Sequence, residues 1–371
     1  MSKPKLELVS LRKEFDNGAV PAVDGIDLSI EAGETIALLG PSGCGKSTTL
    51  NMIVGLDHPT SGDIQIDGKS IVCVPAGKRN VGLVFQDYAV FTSMTVRQNL
   101  AFGLEVRRTP KAEIARDVAE VAELLGMADR LDARAKDLGG SELQRVAIGR
   151  TLVTKPAVLL LDEPLSNLET ASRLAMRREL RRLQSEIGLT IIYVTHDQIE
   201  ALSLADRIAV MNAGKILQVE KTSIICDKPE HVFVAGFLGS PPMNLLKGGL
   251  EFEGNGLVFR RDSFCLPLDE AGGALGGLKG RVTLGVRPES LRIAPVDGAD
   301  LAGRVLLVEA RGPDVVLTVE VASVQLKVVT PSVEHPEEGA MVGIDMDRSS
   351  LVFFGGDSNR RIDVRLAGRP K

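Results

Sequence analysis

Eight residues of this 371-residue chain have the spacing of a phosphate-binding loop. They fit the pattern G-x-x-x-x-G-K-[ST] at every fixed position: Gly40-Pro41-Ser42-Gly43-Cys44-Gly45-Lys46-Ser47. The glycines let the backbone curl so that successive N–H groups face one anion. Lys46 can then reach the β- and γ-phosphates of a nucleotide, and the Ser47 hydroxyl can bind Mg²⁺. The alternative is a glycine-rich turn with an incidental Lys-Ser pair, and the flanking sequence argues against it.

Two adjacent carboxylates follow an unbroken apolar run, 157–161. Such a run predicts a buried strand whose end brings Asp162 to the nucleotide crevice, where it can hold Mg²⁺ through water. Glu163 can polarise the attacking water as a general base. A purely structural carboxylate pair is the alternative, and a phosphate loop in the same chain makes it the weaker interpretation.

Polar or aromatic residues at three further positions are candidates for the same crevice. Gln86 ends the predicted strand Val81–Gln86, where an amide can touch Mg²⁺ or water. His196 follows the predicted strand Thr190–Thr195 and can donate to the γ-phosphate. Phe15 can stack on adenine. A strand-end glutamine, a structural histidine and a core phenylalanine are the alternatives, and position alone does not decide for Gln86 or Phe15.

A second helix start with anion-binding character lies far along the chain, at Leu138-Gly139-Gly140-Ser141-Glu142. Glycines and a serine that open a helix present free N–H groups to an anion. One nucleotide does not need two such termini from distant parts of one chain. A dimer that sandwiches the nucleotide would use both.

The elements that must position these residues can be placed from the apolar pattern. Glu34–Leu39 predicts a buried parallel strand before the loop, and Ser47–Val54 predicts a helix after it. Residues 5–39 also contain short alternating runs typical of antiparallel strands. Residues 87–150 have helical periodicity and predict an insert between two halves of a sheet. From Gly236 onward, glycine-punctuated strands predict a small barrel or sandwich.

Composition narrows the class of protein. The net charge of −5 gives no general electrostatic reason to bind nucleic acid or anionic lipid. The four cysteines contain no C-x-x-C pair, so neither a disulfide framework nor a zinc site is indicated, and a reducing cytosol fits. We find neither a signal peptide nor an apolar run of membrane-spanning length, so any membrane role requires other chains to do the spanning.

Together these motifs resemble the nucleotide-binding subunits of ATP-binding-cassette (ABC) transporters. The likeness covers nearly the whole chain, and Val232–Pro241 and Gly285–Glu289 narrow it to the maltose and glycerol-phosphate importer group. It implies an α/β P-loop NTPase in residues 1–235, with a RecA-like core, an antiparallel β subdomain and a helical subdomain at about 87–157. It also implies a C-terminal all-β, OB-like (TOBE/MOP-like) regulatory domain in residues 236–371.

The resemblance also implies a role for each motif. By this likeness, residues 40–47, with Thr48, are Walker A and bind ATP, and Asp162 is the Walker B aspartate. Glu163 is the catalytic base, Gln86 is the Q-loop glutamine and His196 is the switch histidine. Residues 138–142 are the signature. Ser47, Gln86 and Asp162 are the expected Mg²⁺ ligands.

The function that the resemblance implies is ATP hydrolysis that energises uptake of a sugar, polyol, sugar acid or glycerol-3-phosphate. The expected partners are a second copy of the chain, two transmembrane permease subunits with a helix seated near Tyr88–Asn99, and indirectly a periplasmic solute-binding protein. The expected location is the cytoplasmic face of a bacterial inner membrane, without nucleic acid. Two alternatives stay open, namely a regulatory ATP-binding subunit with little hydrolysis and a soluble ABC ATPase that acts on nucleic acid.

Two departures from the family pattern accompany the likeness. The family signature is Leu-Ser-Gly-Gly-Gln, whereas Gly139 stands at the serine position here and the hydroxyl moves to Ser141. Glu169 replaces the family's D-loop aspartate. We expect a weakened but real ATPase, because loss of one hydrogen bond to a phosphate costs about 1–3 kcal/mol.

Overall fold

The computed structural model describes residues 3–15, 20–253, 256–261, 264–268, 280–333 and 335–362. The chain forms two compact units, Met1–Ile225 and Cys226–Lys371. The division between the units lies before the boundary at 235/236 that the sequence suggests, and that boundary stays a prediction. The fold class predicted from the sequence is confirmed: an α/β unit with a phosphate loop is followed by an all-β unit.

The strands of the first unit are β1 (Leu6–Lys13), β2 (Val23–Ile30), β3 (Thr35–Leu39), β4 (Ser61–Ile66), β5 (Lys69–Ser70), β6 (Val81–Val84), β7 (Val158–Asp162), β8 (Ile191–Thr195), β9 (Arg207–Asn212) and β10 (Lys215–Lys221). Its helices are α1 (Lys46–Val54), α2 (Val96–Val106), α3 (Lys111–Leu124), α4 (Gly140–Leu152), α5 (Thr170–Ile187), α6 (Gln198–Leu204) and α7 (Thr222–Ile225). Among the described residues, no helix is both long enough and apolar enough to cross a membrane.

A six-stranded sheet forms the centre of this unit, in the order β10-β9-β3-β8-β7-β6. The five strands from β9 to β6 are parallel, and β10 pairs antiparallel with β9. All residues of β3 and β8 are buried, as expected for strands covered on both faces. A separate four-stranded antiparallel sheet has the order β2-β1-β4-β5, which confirms the predicted antiparallel strands before the loop.

The helical insert lies between β6 and β7 and contains α2, α3 and α4. Its apolar faces meet in one core around Leu100, Val121 and Val146. Helix α4 passes close to its neighbours, because a Cβ on Gly149 would lie 2.6 Å from Leu125 and 2.7 Å from Leu100.

One predicted element is shorter than expected. Strand β6 ends at Val84, and Gln86 lies beyond it in a turn, so the predicted strand Val81–Gln86 is wrong at its end. The physical reason is a turn that begins at Phe85, whose carbonyl oxygen accepts from the Tyr88 N–H at 3.1 Å.

The second unit contains helix α8 (Val232–Phe237) and strands β11 (Asn244–Glu253), β12 (Gly256–Arg261), β13 (Phe264–Leu268), β14 (Gly280–Val286), β15 (Leu291–Ala294), β16 (Leu301–Arg311), β17 (Asp314–Val321), β18 (Val324–Pro331), β19 (Met341–Met346), β20 (Val352–Gly355) and β21 (Arg361–Ile362). They form one sheet in the order β13-β12-β11-β14-β20-β21 and another in the order β15-β19-β16-β17-β18. One apolar core, which includes Phe259, Leu317 and Phe353, draws on both sheets.

Candidate nucleotide-binding and hydrolysis site

The phosphate loop joins β3 to α1 and curls as the sequence predicts. Gly43 and Gly45 have φ values of +78° and +107°, which L side chains rarely adopt. Gly45 also has no room for a side chain, because a Cβ there would lie 2.4 Å from the carbonyl oxygen of Ala22. The loop therefore needs glycine at this position both for its backbone conformation and for its contact with the residues before β2.

The Lys46 side chain is buried at 6% exposure and lies along the loop. Its Nζ donates to the carbonyl oxygens of Gly40 at 2.8 Å and Pro41 at 3.0 Å. The neighbouring Cys44 is buried, and burial raises the pKa of its thiol. An ammonium group held by carbonyl dipoles at the start of α1 adds positive charge where the helix N-terminus already favours an anion.

Strand β7 brings Asp162 to the same end of α1. The Ser47 hydroxyl donates to Oδ1 of Asp162 at 3.4 Å, so the two predicted metal-binding oxygens are neighbours. Burial, and next the adjacent charge of Glu163, raise the pKa of Asp162, whereas Ser47 and Lys46 lower it. A hydroxyl and a carboxylate oxygen at this distance fit Mg²⁺, which takes few protein ligands and keeps water and phosphate oxygens.

Glu163 and His196 lie side by side after the neighbouring strands β7 and β8. Oε2 of Glu163 is 3.1 Å from Nδ1 of His196. The Glu163 backbone has φ +44°, which turns the chain sharply at the end of β7. The Glu163 side chain is 22% exposed and that of His196 is 59% exposed, so both can meet a solvent-borne ligand.

Gln86 is exposed, and its main chain is fixed by a residue that the sequence reasoning missed. Nδ2 of Asn167 donates to the carbonyl oxygen of Gln86 at 2.8 Å. The two residues are far apart in the chain and no motif spacing relates them, so nothing in the sequence indicates this contact.

The segment 138–142 lies in the helical insert, where Gly139 is the N-cap of α4. In the part of the chain that the structure describes, no hydrogen bond or ion pair joins this segment to the phosphate loop. The start of α1 and the start of α4 are therefore not joined by a hydrogen bond or ion pair within the described part of one copy of the chain.

The Glu142 side chain folds back over this helix start. Oε2 accepts from the Gly139 N–H at 3.0 Å, and Oε1 accepts from Nε of Arg130 at 3.0 Å. The Gly139 N–H, then Arg130, lower the pKa of Glu142. Glycine has no side chain, so only the carboxylate half of a capping box exists. The spacing of Glu142 three residues after the N-cap is the sequence signal that could have revealed this role.

The remaining predicted residues lie on the surface. Phe15 is 48% exposed, and the Lys13 ammonium lies 4.8 Å from its ring centroid, so one ring face is covered by a cation. Glu169 is the exposed N-cap of α5, and its side chain makes no capping hydrogen bond. The longer glutamate side chain therefore does not take the capping position that a shorter Asp can reach.

Comparison of the sequence with protein families finds three matches. Residues 23–166 match the family described as ABC transporter. Residues 239–291 match the MalK OB fold domain, and residues 284–354 match the TOBE domain. The first match contains the phosphate loop, the carboxylate pair and the helical insert, and the other two lie within the all-β unit.

Several curated proteins are similar over almost their whole length. A trehalose/maltose import ATP-binding protein of Thermococcus litoralis is 41% identical, over 96% of this chain and 99% of the relative. An sn-glycerol-3-phosphate import ATP-binding protein of Rhizobium etli is 40% identical, over 96% and 98%. A sulfoquinovosyl glycerol transport ATP-binding protein of Agrobacterium fabrum is 40% identical, over 95% and 99%.

Among solved structures, cbiO1 of Clostridium perfringens, described as part of the ABC transporter complex cbiONQ, is similar. It has 31% sequence identity and a TM-score of 0.55, over 60% of this chain and 90% of that chain.

Proposed function

This chain belongs to the family of import ATP-binding subunits of ABC transporters, and from that premise we propose which residues bind and hydrolyse ATP and what the hydrolysis drives. The chain is an ATP-hydrolysing transporter subunit. The solute is a carbohydrate or a related polyol, sugar acid or glycerol phosphate. Support for that class comes from relatives named for trehalose/maltose, glycerol-3-phosphate and sulfoquinovosyl glycerol.

ATP binds with its phosphates on the N–H groups of residues 40–48. Lys46 lies next to this cradle and exchanges its carbonyl partners for β- and γ-phosphate oxygens. Phe15 stacks on the adenine with the ring face opposite Lys13.

Ser47 and Asp162 would hold Mg²⁺, with Gln86 as the third protein contact. When bound, the ion would offset the negative charge of the phosphate oxygens. Three described contacts prepare this arrangement: Ser47 with Asp162, Lys46 with the loop carbonyls, and Asn167 with the main chain of Gln86.

The Glu163 carboxylate accepts a proton from the attacking water, and His196 orients that carboxylate. Nδ1 of His196 faces Glu163 at 3.1 Å, which leaves Nε2 to meet the γ-phosphate. The observation that carries this mechanism is a pair of contacts between neighbouring segments. The Ser47 hydroxyl is 3.4 Å from Oδ1 of Asp162, and the next residue, Glu163, is 3.1 Å from Nδ1 of His196. A general base of this kind contributes about 10²–10⁴-fold to rate.

The active form is a dimer in which residues 138–142 of a second copy close over the γ-phosphate. Glu142 occupies the Gly139 N–H, whereas the N–H groups of residues 140–142 have no acceptor within the described part of the chain. The dimer sits on the cytoplasmic face of a bacterial inner membrane, with two permease subunits docked near residues 88–99. A periplasmic solute-binding protein delivers the solute to those subunits.

The test compares phosphate release by the full-length chain with that of Glu163→Gln, at saturating ATP and Mg²⁺. We expect the Glu163→Gln rate to fall by about 10²-fold or more while ATP still binds. The matched control is Glu186→Gln, an exposed carboxylate at the far end of α5, which we expect to keep the wild-type rate. Equal rates in wild type and Glu163→Gln would remove Glu163 from the mechanism.

The solute class and the partners need a separate experiment. We expect an affinity-tagged chain purified from membranes to carry hydrophobic permease subunits, and proteoliposomes of that complex to take up a labelled sugar or glycerol phosphate. DNA binding that weakens steeply with salt, without permease subunits, would instead favour a nucleic-acid ATPase.

A further inference from the structure

Glu163 and His196 both line a small polar cavity of about 110 Å³. Its wall includes three carboxylates and one guanidinium, those of Glu163, Asp197, Glu200 and Arg173. Among the described residues that line the cavity, Arg173 is the only one with a permanent positive charge. It therefore faces three acidic groups from two segments, the loop after β7 and the start of α6.

Arg173 lies in the first turn of α5 and reaches toward both segments. On one side its Nη2 donates to the carbonyl oxygen of Leu168 at 3.2 Å. On the other side its Nε is 3.8 Å from Oε1 of Glu200, and its Nη1 is 4.0 Å from Oδ2 of Asp197. Nε is buried and makes no hydrogen bond within the described chain, so its interaction with Glu200 is a charge contact at longer range.

Glu200 and Asp197 are themselves fixed to the segment that carries His196. Oε2 of Glu200, which is 4% exposed, accepts from the Tyr193 hydroxyl at 2.8 Å and from the Thr195 hydroxyl at 2.9 Å. Asp197 caps α6 by accepting from the N–H of Ile199 at 2.7 Å. His196 is therefore flanked on both sides by residues with fixed side chains.

The other loop is fixed to Glu163 in a similar way. The hydroxyl of Ser166 donates to the Glu163 carbonyl oxygen at 2.9 Å, and its N–H donates to the same oxygen at 3.2 Å. This turn leads through Leu168 to α5. Arg173 is thus in contact range of both segments, one that carries the catalytic carboxylate and one that carries the histidine beside it.

We propose that Arg173 is a positioning residue for ATP hydrolysis, which holds the loop after Glu163 and the loop around His196 at the separation that hydrolysis needs. The inference rests on the proposed roles of Glu163 and His196. Arg173 acts through the Leu168 carbonyl on one side and through Asp197 and Glu200 on the other. A shift of about 1 Å between catalytic groups can cost about 10²-fold in rate, so a modest change in this contact has a measurable effect.

The test is the variant Arg173→Gln, compared with Arg178→Gln as its matched control. Arg178 lies on the same helix, is exposed and carries the same charge. We expect Arg173→Gln to lower kcat by about tenfold or more and to leave the ATP dissociation constant within about twofold, because the contacts of the guanidinium within the described residues go to Leu168, Asp197 and Glu200 and not to the phosphate loop. Arg178→Gln is expected to match wild type. A kcat for Arg173→Gln within twofold of wild type, or an equal loss in both variants, overturns the proposal.

A double-mutant cycle separates positioning from general support of the fold. If Arg173 acts through Glu200, the double variant Arg173→Gln/Glu200→Gln will be no slower than the slower single variant. Rate losses that multiply would show that the two residues act independently, against the proposal. If Arg173→Gln does not fold, Arg173→Lys takes its place in the cycle, because it keeps the charge and loses the planar fork.

Amide hydrogen exchange gives a readout that does not depend on catalysis. We expect Arg173→Gln to speed exchange at both 165–169 and 195–198, whereas a role confined to α5 would speed exchange only within that helix. An inactive wild type would refute the proposed function. Faster exchange at both 165–169 and 195–198 in Arg173→Gln would still support the contact of Arg173 with the two segments. Unchanged exchange at either loop, with an active wild type, would refute the inference alone.

Discussion

Gly45 combines a positive φ with a steric clash in the phosphate loop, and the substitution Gly45→Ala tests both requirements. Gly45 and Gly43 lie in the same loop and both have positive φ, +107° and +78°. A Cβ on Gly45 would lie 2.4 Å from the Ala22 carbonyl oxygen, whereas a Cβ on Gly43 would have none of the described residues within 4 Å. Gly43→Ala is therefore a matched control that carries the backbone strain without the steric clash.

The two variants differ in expected cost. Forcing an alanine into the left-handed region costs about 1–2 kcal/mol, and we expect this loss in both variants. The clash at Gly45 is with a main-chain oxygen, so the loop or the segment before β2 must move, which adds about 1–3 kcal/mol. We therefore expect Gly45→Ala to lower the free energy of unfolding by about 2–5 kcal/mol, and Gly43→Ala by about 1–2 kcal/mol.

Tyrosine fluorescence can follow the unfolding of the first unit without a tyrosine signal from the second unit. The chain has no tryptophan and two tyrosines, and both tyrosines, Tyr88 and Tyr193, lie in the first unit. Urea titrations of the full chain, monitored by tyrosine emission, would give the midpoint for each variant. With a slope of about 1–3 kcal/mol per molar urea, the expected difference between the variants is large enough to resolve.

Equal midpoints for Gly45→Ala and Gly43→Ala would refute this reasoning, because the clash would then have no energetic consequence. A Gly45→Ala midpoint at the wild-type value would also show that the positive φ is not required. ATP titration of the folded Gly45→Ala protein adds a second measurement. We expect weakened binding, since displacement of the loop turns its N–H groups away from the phosphates.

Two pH-dependent predictions follow from side chains at helix starts. The lowered pKa of Glu142 means that its contribution to stability is present above about pH 4.3 and is lost as pH falls through the folded-state pKa. We expect Glu142→Ala to lower the free energy of unfolding by about 0.5–2 kcal/mol relative to wild type at pH 7, measured by tyrosine-monitored urea titration, and by less near pH 4. The same difference from wild type at both pH values would contradict the contact between Glu142 and the Gly139 N–H. His231 caps α8 by accepting from the Phe233 N–H at 3.0 Å, and burial, then Arg360, lower its pKa. The His231 contribution to stability is therefore present above about pH 6.5 and lost below it. Urea titrations monitored by far-UV circular dichroism at pH 7.5 and 5.5 should show that the free energy of unfolding depends less on pH in His231→Asn than in wild type. An undiminished pH dependence would rule this cap out.

The sequence predicted the elements whose formation depends on local pattern. The buried apolar runs became β3, β7 and β8, and the glycine spacing became a loop with positive φ at Gly43 and Gly45. These features follow from burial and backbone sterics, which act over a few residues and leave a clear periodicity.

The contacts between loops could not be predicted in the same way. Asn167 donates to the carbonyl oxygen of Gln86, which lies beyond the end of β6 in the turn between Phe85 and Tyr88. Arg173 approaches Glu200 because α5 and α6 both follow strands of one sheet. Such contacts depend on where two loops meet in space, and a single sequence holds no periodic signal for that. The predicted role of residues 138–142 toward a nucleotide depends on a second copy and stays a prediction.

The strand order explains how residues from four distant segments reach one edge. In the parallel run β3-β8-β7-β6, the phosphate loop follows β3, His196 follows β8, Glu163 follows β7 and Gln86 follows β6. The register pairs Leu39 with Thr195 and Asp162 with Val194, so these three strands end almost level.

The same order assigns each segment its neighbours. The histidine segment lies between the phosphate loop and the carboxylates, so the Ser47–Asp162 contact must pass across the end of β8. Gln86 lies one strand beyond Glu163 in this order. Asn167, from the loop after Glu163, donates to the Gln86 carbonyl oxygen and so joins the segments that follow β7 and β6. The sheet collects the groups at one edge, and the side-chain contacts between loops determine their separations.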